Sequence, residues 1–281
     1  MLVFAHNQFI PEEQAVVSVF DRGFRYGDGL FETVLVLNGK MFRWPEHLAR
    51  LVRGAQFLSI PLPHPPVALH AFATELIACN QITEGILRLQ LSRGVGPRGY
   101  APTGLEQPHI VMSMHPSPAR SDLCGVMWQL TLCSLRLPAG DPLASHKTCS
   151  RLLQVMAVSE ARTRGTDEAL LLNTDGHVLE GSTSNLFWID DGTVGTPPLP
   201  QGVLPGVTRA TVRELCTTLG IAHAERMIRP QELTKMDGVF LSLTSRGVVE
   251  ASALEGKPLN RSPLTTRLQD EFEALLAREC A

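Results

Sequence analysis

The stretch KTCSRLLQVMAVSEARTRGTDEALLLNTDGHVLEGSTSNLFWI (147–189) predicts one helix followed by two strands. Apolar residues recur at helical spacing from Arg151 to Arg164. The runs 168–172 and 185–189 are short and apolar, as buried strands are, and Asp175-Gly176 marks a turn between them. A helix beside strands of this kind indicates an α/β (α+β) protein.

The same mixture of helices and strands continues on both sides of this stretch. Asn38-Gly39 is a hairpin signal at the end of one strand, and Pro45 opens a helix. Further strands are predicted at 32–37, 86–91, 110–114, 126–132 and 239–243, and further helices from 45, at 67–79, 208–219 and 264–278. The polar, proline-rich segment 116–125 predicts a linker between an N-terminal domain (1–115) and a C-terminal domain (126–281).

Composition and charge exclude several classes of function. The 281 residues carry a net charge of −3 and contain no run of lysine and arginine, which disfavours binding to nucleic acid or to a membrane surface. The amino terminus lacks the pattern of a secretory signal, and no apolar run is long enough to span a bilayer. The six cysteines form no C-x-x-C pair and match no metal-ligand spacing with histidine. We therefore expect a cytoplasmic protein with reduced thiols, no metal and a small-molecule substrate.

Lys147 is the candidate catalytic residue. The chain has only four lysines against 21 arginines, and the other three (Lys40, Lys235 and Lys257) lie in sequence contexts typical of turns. A lysine amine can form a Schiff base with a carbonyl compound where its surroundings lower its pKa. The scarcity of lysine by itself has a compositional explanation, so the position of Lys147 carries the argument.

Gly94-Val-Gly-Pro-Arg-Gly99 matches the G-x-G-x-x-G pattern of dinucleotide-binding proteins. Such a site needs a helix to start within the motif, whereas here Pro97 interrupts it and Tyr-Ala-Pro-Thr-Gly follows. We interpret the segment as a glycine-rich loop that presents Arg98 and Tyr100. A nicotinamide-dependent oxidoreductase remains only as a minor alternative.

Two segments after Lys147 offer groups that suit a phosphorylated cofactor. EGSTSN (180–185) places the Glu180 carboxylate before a cluster of hydroxyl groups, although the same residues also suit a plain hairpin turn. LPGVTR (204–209) leads into a helix whose first amides can bind phosphate, unless Thr208 simply caps that helix. A lysine, a carboxylate and a helix start of this type, in this order, are the parts that a pyridoxal phosphate enzyme needs.

Six motifs together resemble the class IV aminotransferases, which are the fold type IV pyridoxal phosphate enzymes. They are DRGFRYGDGLFET (21–33), EHLARL (46–51), SRGVGPRGY (92–100), K-x-x-x-R-L-x-x-V-x-A-x-x-E-A (147–161), DEALLLNTDGHVLEGSTSNLFWI (167–189) and GVLPGVTR (202–209). The resemblance covers nearly the whole chain. It implies a two-domain fold like that of D-amino acid aminotransferase, pyridoxal 5'-phosphate as cofactor, and a homodimer in which a neighbouring subunit completes each active site.

The resemblance also implies a role for individual residues. Lys147 is expected to carry the cofactor and to move protons, and Glu180 is expected to pair with the pyridine nitrogen. The expected phosphate and ring contacts come from Arg50, Ser184, Val207, Thr208 and Thr244. The expected substrate contacts come from Phe31, Ser245 and Arg246, and from Arg98 and Tyr100 reaching into the partner's site.

Three features resemble the aminodeoxychorismate lyases more than other members of the family. They are the R-G-Y loop, the helix start Arg151-Leu-Leu-Gln-Val155, and Thr244-Ser-Arg-Gly247. Within this family, branched-chain aminotransferases carry the motif F-E-G where this chain has Phe31-Glu-Thr33. D-amino acid aminotransferases carry Arg-x-His in the loop and a tyrosine at the position of Phe31. The sequence therefore favours a lyase that releases pyruvate and 4-aminobenzoate, as in folate biosynthesis, with a D-amino acid or related aminotransferase as the alternative.

Overall fold

The computed structural model describes residues 1–104 and 106–281, which form two compact units. The first unit comprises Met1–Ala119, His146–Arg151 and Glu279–Ala281, and the second comprises Arg120–Ser145 and Leu152–Arg278. The division after Ala119 falls inside the segment predicted as a linker. His146–Arg151 and Glu279–Ala281 belong to the first unit, although the boundaries drawn from the sequence placed them in the second domain.

The first unit consists of one antiparallel sheet with helices. Its elements are β1 (Leu2–Ala5), β2 (Gln8–Pro11), α1 (Arg22–Tyr26), β3 (Gly29–Leu37), β4 (Lys40–Met41), α2 (Trp44–Phe57), α3 (Pro66–Asn80), β5 (Gly85–Ser92) and β6 (His109–His115). The strand order is β2-β1-β6-β5-β3-β4. Asn38 and Gly39 both adopt positive φ angles, of 51° and 72°, as the hairpin signal between β3 and β4 requires.

The two faces of this sheet have different environments because side chains alternate along each strand. Leu30, Val34 and Leu87 point to the face covered by α2 and α3, where they join one buried apolar cluster. The opposite face carries half-buried side chains of mixed polarity, including Phe31, Thr33, Arg88 and Gln90. This second face is called the open face below.

The second unit contains a mixed sheet. Its elements are β7 (Met127–Leu137), α4 (Leu152–Thr163), β8 (Glu168–Asn173), β9 (Val178–Gly181), β10 (Asn185–Asp190), β11 (Thr193–Thr196), α5 (Val207–Thr218), β12 (His223–Glu225), α6 (Pro230–Leu233), β13 (Gly238–Leu243), β14 (Gly247–Leu254), β15 (Lys257–Pro258) and α7 (Pro263–Glu279). None of the helices in the described ranges has the length and apolar character needed to span a bilayer.

Six strands of the second unit close into a ring. The order β10-β13-β14-β7-β8-β9 returns to β10 through the antiparallel pair Glu180 and Asn185. Phe187 and Phe240 occupy paired positions on β10 and β13, both fully buried, with ring centroids 4.9 Å apart. The closure of the ring therefore places Glu180, the predicted cofactor ligand, beside Asn185.

The predicted α/β (α+β) class is confirmed, and the strongly patterned elements lie where the sequence predicted them. Each predicted helix and strand corresponds to an observed one within a few residues at either end. The strands β1, β2, β9, β11, β12, β14 and β15 were not predicted. Most of them are too short to show a clear alternation of apolar and polar residues.

We expect Gly54→Ala in α2 to destabilise the protein, although alanine is more favourable than glycine within a helix by about 0.8–1 kcal/mol. The added Cβ would lie 2.8 Å from Cδ2 of Leu30 on β3, so either this buried side chain or α2 must shift. Overpacking of this kind costs about 1–3 kcal/mol, which urea denaturation can measure. The control is Leu30→Ala, because it removes the obstructing atoms. The double variant should be less destabilised than the two single changes added together, and strict additivity would contradict this packing.

Candidate active site

Backbone hydrogen bonds attach the segment that contains Lys147 to the start of β3. The amide of Phe31 donates to the carbonyl oxygen of Lys147 at 2.9 Å, and the amide of Cys149 donates to the carbonyl oxygen of Gly29 at 2.8 Å. Arg151 braces the same segment by donating from Nε to the Thr148 carbonyl oxygen at 3.0 Å. Lys147 is thus held in a fixed place at the edge of the first unit's sheet.

Three basic side chains approach the aromatic ring of Phe31. Nζ of Lys147 lies 4.6 Å from the ring centroid, and the guanidinium carbons of Arg88 and Arg151 lie 4.1 and 5.8 Å from it. The negative face of an aromatic ring attracts cations at such distances. Phe31, predicted as a substrate contact, therefore lies directly beside the predicted catalytic amine.

A buried ion-pair network joins β3 to α2. Nε and Nη2 of Arg50 donate to the two carboxylate oxygens of Glu32 at 2.8 and 2.6 Å, and Nδ1 of His47 lies 2.7 Å from Oε2 of the same carboxylate. All three side chains are buried. The network fixes the guanidinium of Arg50, which was predicted to bind the cofactor phosphate, and that phosphate contact stays a prediction.

The charge states in this network follow from burial and pairing. Burial alone would raise the pKa of Glu32, but the charge and hydrogen bonds of Arg50, together with His47, lower that pKa to about 2. Burial lowers the pKa of His47, and the positive charges of Arg50 and Lys147 act in the same direction against the attraction of Glu32. Glu32 is therefore ionised and His47 neutral near neutral pH.

In the second unit, two donors orient the buried carboxylate of Glu180. Nδ2 of Asn185 and the backbone amide of Leu204 both donate to its Oε2 at 3.1 Å. The same Asn185 nitrogen donates to the Leu204 carbonyl oxygen at 2.9 Å. Asn185 therefore connects the carboxylate to the turn before α5 and was given no role in the sequence analysis.

The start of α5 suits an anion. Gly206 is the N-cap and no side chain caps the helix, so Thr208 is not the cap that the alternative interpretation required. A Cβ at Gly206 would lie 1.9 Å from Oδ1 of Asn185, so only glycine fits this turn. The first amides of a helix have no acceptor within the helix, and those of Val207 and Thr208 belong to this group. Within the second unit, the Glu180 carboxylate and these amides are the chemical groups that a pyridine nitrogen and a phosphate need.

Glu168, on β8, organises the turn between β9 and β10. Its carboxylate accepts hydrogen bonds from the amides of Ser182 and Thr183 at 3.1 and 3.2 Å, and from the hydroxyl groups of Ser182, Thr183 and Ser184. The hydroxyl of Ser184, predicted to contact the cofactor, thus donates to Glu168 at 3.1 Å. Hydrogen bonds to the buried carboxylate of Glu168 therefore fix the turn that carries these hydroxyl groups.

The remaining predicted site residues lie on two exposed or half-exposed turns. Arg98 and Tyr100 are exposed in the first unit, in a loop whose Gly99 and Tyr100 carbonyl oxygens accept hydrogen bonds from Arg22. No helix starts within residues 93–104, as the loop interpretation predicted. In the second unit, Thr244, Ser245 and Arg246 form the turn between β13 and β14, with the Arg246 guanidinium 5.6 Å from the Trp128 ring. The contacts of these residues with substrate, and the homodimer, stay predictions.

Sequence reasoning assigned no role to Glu32, Glu168, Asn185 or Arg88. A signal for Glu32 was available, because it shares the inward parity of Leu30 and Val34 on its strand, and an acid at such a position needs a buried partner. Glu168 likewise begins an apolar run. Arg88 lies between two buried leucines on its strand, and an ordinary solvent-facing residue would show the same alternation. The sequence therefore did not distinguish Arg88 from a surface residue.

We expect Glu32→Gln to lower the free energy of unfolding by about 3–5 kcal/mol at pH 7, because it leaves the buried Arg50 charge unbalanced. The pKa of Glu32 lies below its usual value of 4.5 in the folded protein. Its stabilising contribution is therefore fully present above about pH 4.5 and is lost as the pH falls toward 2. Urea denaturation between pH 7 and 3 should show the gap between wild type and variant narrowing on the acid side.

The matched control is Glu46→Gln on the same helix, because Glu46 is exposed and its carboxylate lies 3.4 Å from Arg43. An exposed pair contributes only about 0–1 kcal/mol. A Glu32→Gln variant with the stability of this control, or with a gap that does not change with pH, would contradict the network.

Comparison with known proteins places these features in one family. Residues 29–254 match the family model described as amino-transferase class IV. The chain is 31% identical over 276 residues to a D-alanine aminotransferase of Staphylococcus aureus, with 96% of each chain covered. It is 35% identical to the solved 4-amino-4-deoxychorismate lyase of Pseudomonas aeruginosa, with a TM-score of 0.85 and 97% and 98% of the two chains covered.

A second similar solved structure contains a form of the cofactor. It is a branched-chain amino acid aminotransferase of T.th. with pyridoxamine 5'-phosphate, 26% identical, with a TM-score of 0.91 and 99% and 94% of the two chains covered. The family match spans most of the present chain, and the amine, the carboxylate and the helix start described above suit the same cofactor. The chain belongs to the class IV aminotransferases and is a pyridoxal phosphate-dependent enzyme.

Proposed function

We propose that this enzyme is a 4-amino-4-deoxychorismate lyase, which releases pyruvate and 4-aminobenzoate and so serves folate biosynthesis. The observation that carries the proposal is the 35% identity to the Pseudomonas aeruginosa lyase over nearly the full length of both chains. The motifs that resemble the lyases lie at three separate places, namely the 98–100 loop, the start of α4 and the 244–247 turn. Support therefore comes from both units.

The environment of Phe31 also supports the lyase over a branched-chain aminotransferase. Branched-chain aminotransferases carry the motif F-E-G, with glycine at the third position, whereas this chain has Thr33 there, two residues after Phe31. Thr33 shares the open face with Phe31 and pairs across the sheet with Arg88. A β-branched side chain therefore takes up space on the same face as the ring that contacts Lys147, where glycine would leave room for a different substrate.

Different residues of this chain have different roles in the proposed reaction. When bound, pyridoxal phosphate supplies an electron sink for the carbon that bears the substrate amine. Lys147 anchors the cofactor and, as a neutral amine, takes the proton from that carbon. Glu180, held by Asn185 and the Leu204 amide, would keep the pyridine nitrogen of the bound cofactor protonated. The first amides of α5 would hold its phosphate.

The atoms of the lyase reaction balance without a second substrate. The carbon–oxygen bond to the enolpyruvyl group breaks, the proton taken by Lys147 compensates for the one that the leaving group gains, and the ring becomes aromatic. Pyruvate and 4-aminobenzoate together contain every atom of the substrate. A transaminase, in contrast, needs a keto acid to complete its cycle.

The alternative is a D-amino acid or related aminotransferase, which the 31% identity to the Staphylococcus aureus enzyme favours. Two positions argue against it. This chain has Tyr100 where those enzymes carry histidine, and Phe31 where they carry tyrosine.

We expect purified holoenzyme to form pyruvate and 4-aminobenzoate in equal amounts from aminodeoxychorismate with no keto acid added. Lys147→Ala should lower the rate by at least about a thousandfold, because it removes both the cofactor attachment and the base. Chromatography of 4-aminobenzoate and a coupled assay of pyruvate measure the two products.

Lys235→Ala is the control, since Lys235 is exposed and should not affect turnover. Product formation that requires an amino acid together with a keto acid would show an aminotransferase instead. Full activity in Lys147→Ala would remove that residue from its role.

A further inference from the structure

Arg22, the first residue of α1, is buried against the loop that carries Arg98 and Tyr100. Its guanidinium donates from Nη1 to the Gly99 carbonyl oxygen at 3.0 Å and from Nη2 to the Tyr100 carbonyl oxygen at 2.6 Å. The residue is only 2% exposed. Because a guanidinium is planar and its donors point in fixed directions, these two bonds orient the peptide planes on both sides of Tyr100.

The charge of Arg22 is balanced by a mostly buried carboxylate. Nε of Arg22 donates to Oδ2 of Asp28 at 2.8 Å, and Nε of Arg93 donates to the same oxygen, also at 2.8 Å. Burial alone would raise the pKa of Asp28, but the hydrogen bonds and charges of Arg93 and Arg22 outweigh burial and lower that pKa. Asp28 is therefore ionised near neutral pH and holds both guanidinium groups in place.

Two glycines let the loop close around the Arg22 side chain. A Cβ at Gly96 would lie 2.9 Å from Cδ of Arg22, so a larger residue would displace the arginine or the loop. Gly99 has a φ angle of 119°, which residues with a side chain rarely adopt. The Gly99 amide donates to the Tyr26 hydroxyl at 3.1 Å, and the Tyr26 and Tyr100 rings meet edge to face with centroids 5.5 Å apart. The loop conformation therefore depends on its contacts with α1.

Other interactions do little to hold the end of this loop. Within the described part of the chain, Arg22 and Tyr26 provide the hydrogen bonds of residues 98–100. Arg98 is exposed and Tyr100 is 85% exposed, so packing holds their side chains only weakly. Loss of the two bonds from Arg22 would therefore let the loop adopt other conformations. A ligand binds more weakly when only a fraction of the molecules has the competent conformation.

We propose that Arg22 is a positioning residue, whose guanidinium holds the 98–100 loop in the conformation that binds substrate. The proposal rests on the proposed function, because Arg98 and Tyr100 are expected to contact the substrate of that reaction. In this role Arg22 acts through the main chain of the loop and not through a contact of its own with the substrate.

The first measurement is the steady-state kinetics of the holoenzyme with aminodeoxychorismate. Arg22→Gln should raise KM by about tenfold to a hundredfold, because only a minor fraction of the free enzyme would have the competent loop. The value of kcat should change by about threefold at most, since the bound complex contains the ordered loop in both proteins. Arg22→Lys keeps the charge but loses the planar fork, so its KM should lie between the values of wild type and Arg22→Gln.

Tryptic cleavage of the bond after Arg98 measures the state of the loop without any substrate. A protease acts on the fraction of molecules in which its target segment has opened. Cleavage of this bond in the holoenzyme should therefore be at least about tenfold faster in Arg22→Gln than in wild type. Mass spectrometry of the fragment that begins at Gly99 identifies the cleavage.

Arg93→Gln is the matched control, because Arg93 is also buried and shares the Asp28 oxygen but serves another segment. Its Nη1 and Nη2 donate to the carbonyl oxygens of Ser59 and Leu58, just after α2. The change leaves the same carboxylate with one arginine but keeps the bonds from Arg22 to the loop. KM and the rate of cleavage after Arg98 should therefore change by about threefold at most.

Unchanged KM or unchanged cleavage in Arg22→Gln, or equal effects of Arg22→Gln and Arg93→Gln, would overturn the proposal. If Arg22→Gln does not fold, the same measurements on Arg22→Lys decide, with a KM expected to rise by about threefold to tenfold. Failure of the proposed function appears separately, as absence of pyruvate release by wild type. In that case, faster cleavage in Arg22→Gln and a higher KM for the amine that the enzyme does convert still support the role of Arg22.

Discussion

The attachment of residues 147–149 to the start of β3 is the interaction on which the candidate active site depends. Two backbone hydrogen bonds, from the Phe31 and Cys149 amides, fix the position of the main chain at Lys147. Gly29 also lets the start of β3 approach β5, because a Cβ there would lie 2.3 Å from the Leu91 carbonyl oxygen. A reactive lysine has a flexible four-carbon side chain, so a fixed backbone beneath it limits where its amine can reach.

Strand β3 serves two purposes because its side chains alternate between the faces of the sheet. Phe31 and Thr33 lie on the open face, whereas Glu32 between them points to the helices and pairs with Arg50 and His47. The buried ion pairs thus hold α2 against the same strand that supports the lysine segment. A shift of β3 by one residue would exchange these two sets of side chains, so the register of β3 is tied to the chemistry of the site.

Much of the fold and part of the site were predictable from the sequence. Long periodic segments such as α2, α3 and β5 were located closely because amphipathic patterns are local. Lys147 and Glu180 were predicted as site residues because their chemical types and order suit one cofactor, and their contacts with it stay predictions. The residues His146–Arg151 could not be assigned to the first unit, since only contacts distant in sequence show that membership. Asn185 and Arg88 were missed for the same reason, because their surroundings come from tertiary partners and burial, which no local pattern encodes.

The central claim is that Lys147 alone among the four lysines carries pyridoxal phosphate. Borohydride reduction of the holoenzyme, followed by proteolysis and mass spectrometry, tests this directly, because reduction makes the attachment of the cofactor permanent. The account predicts a single pyridoxyl modification, on the peptide that contains Lys147. Modification of Lys40, Lys235 or Lys257 in its place, or no modified lysine in a protein that has cofactor bound, would contradict it.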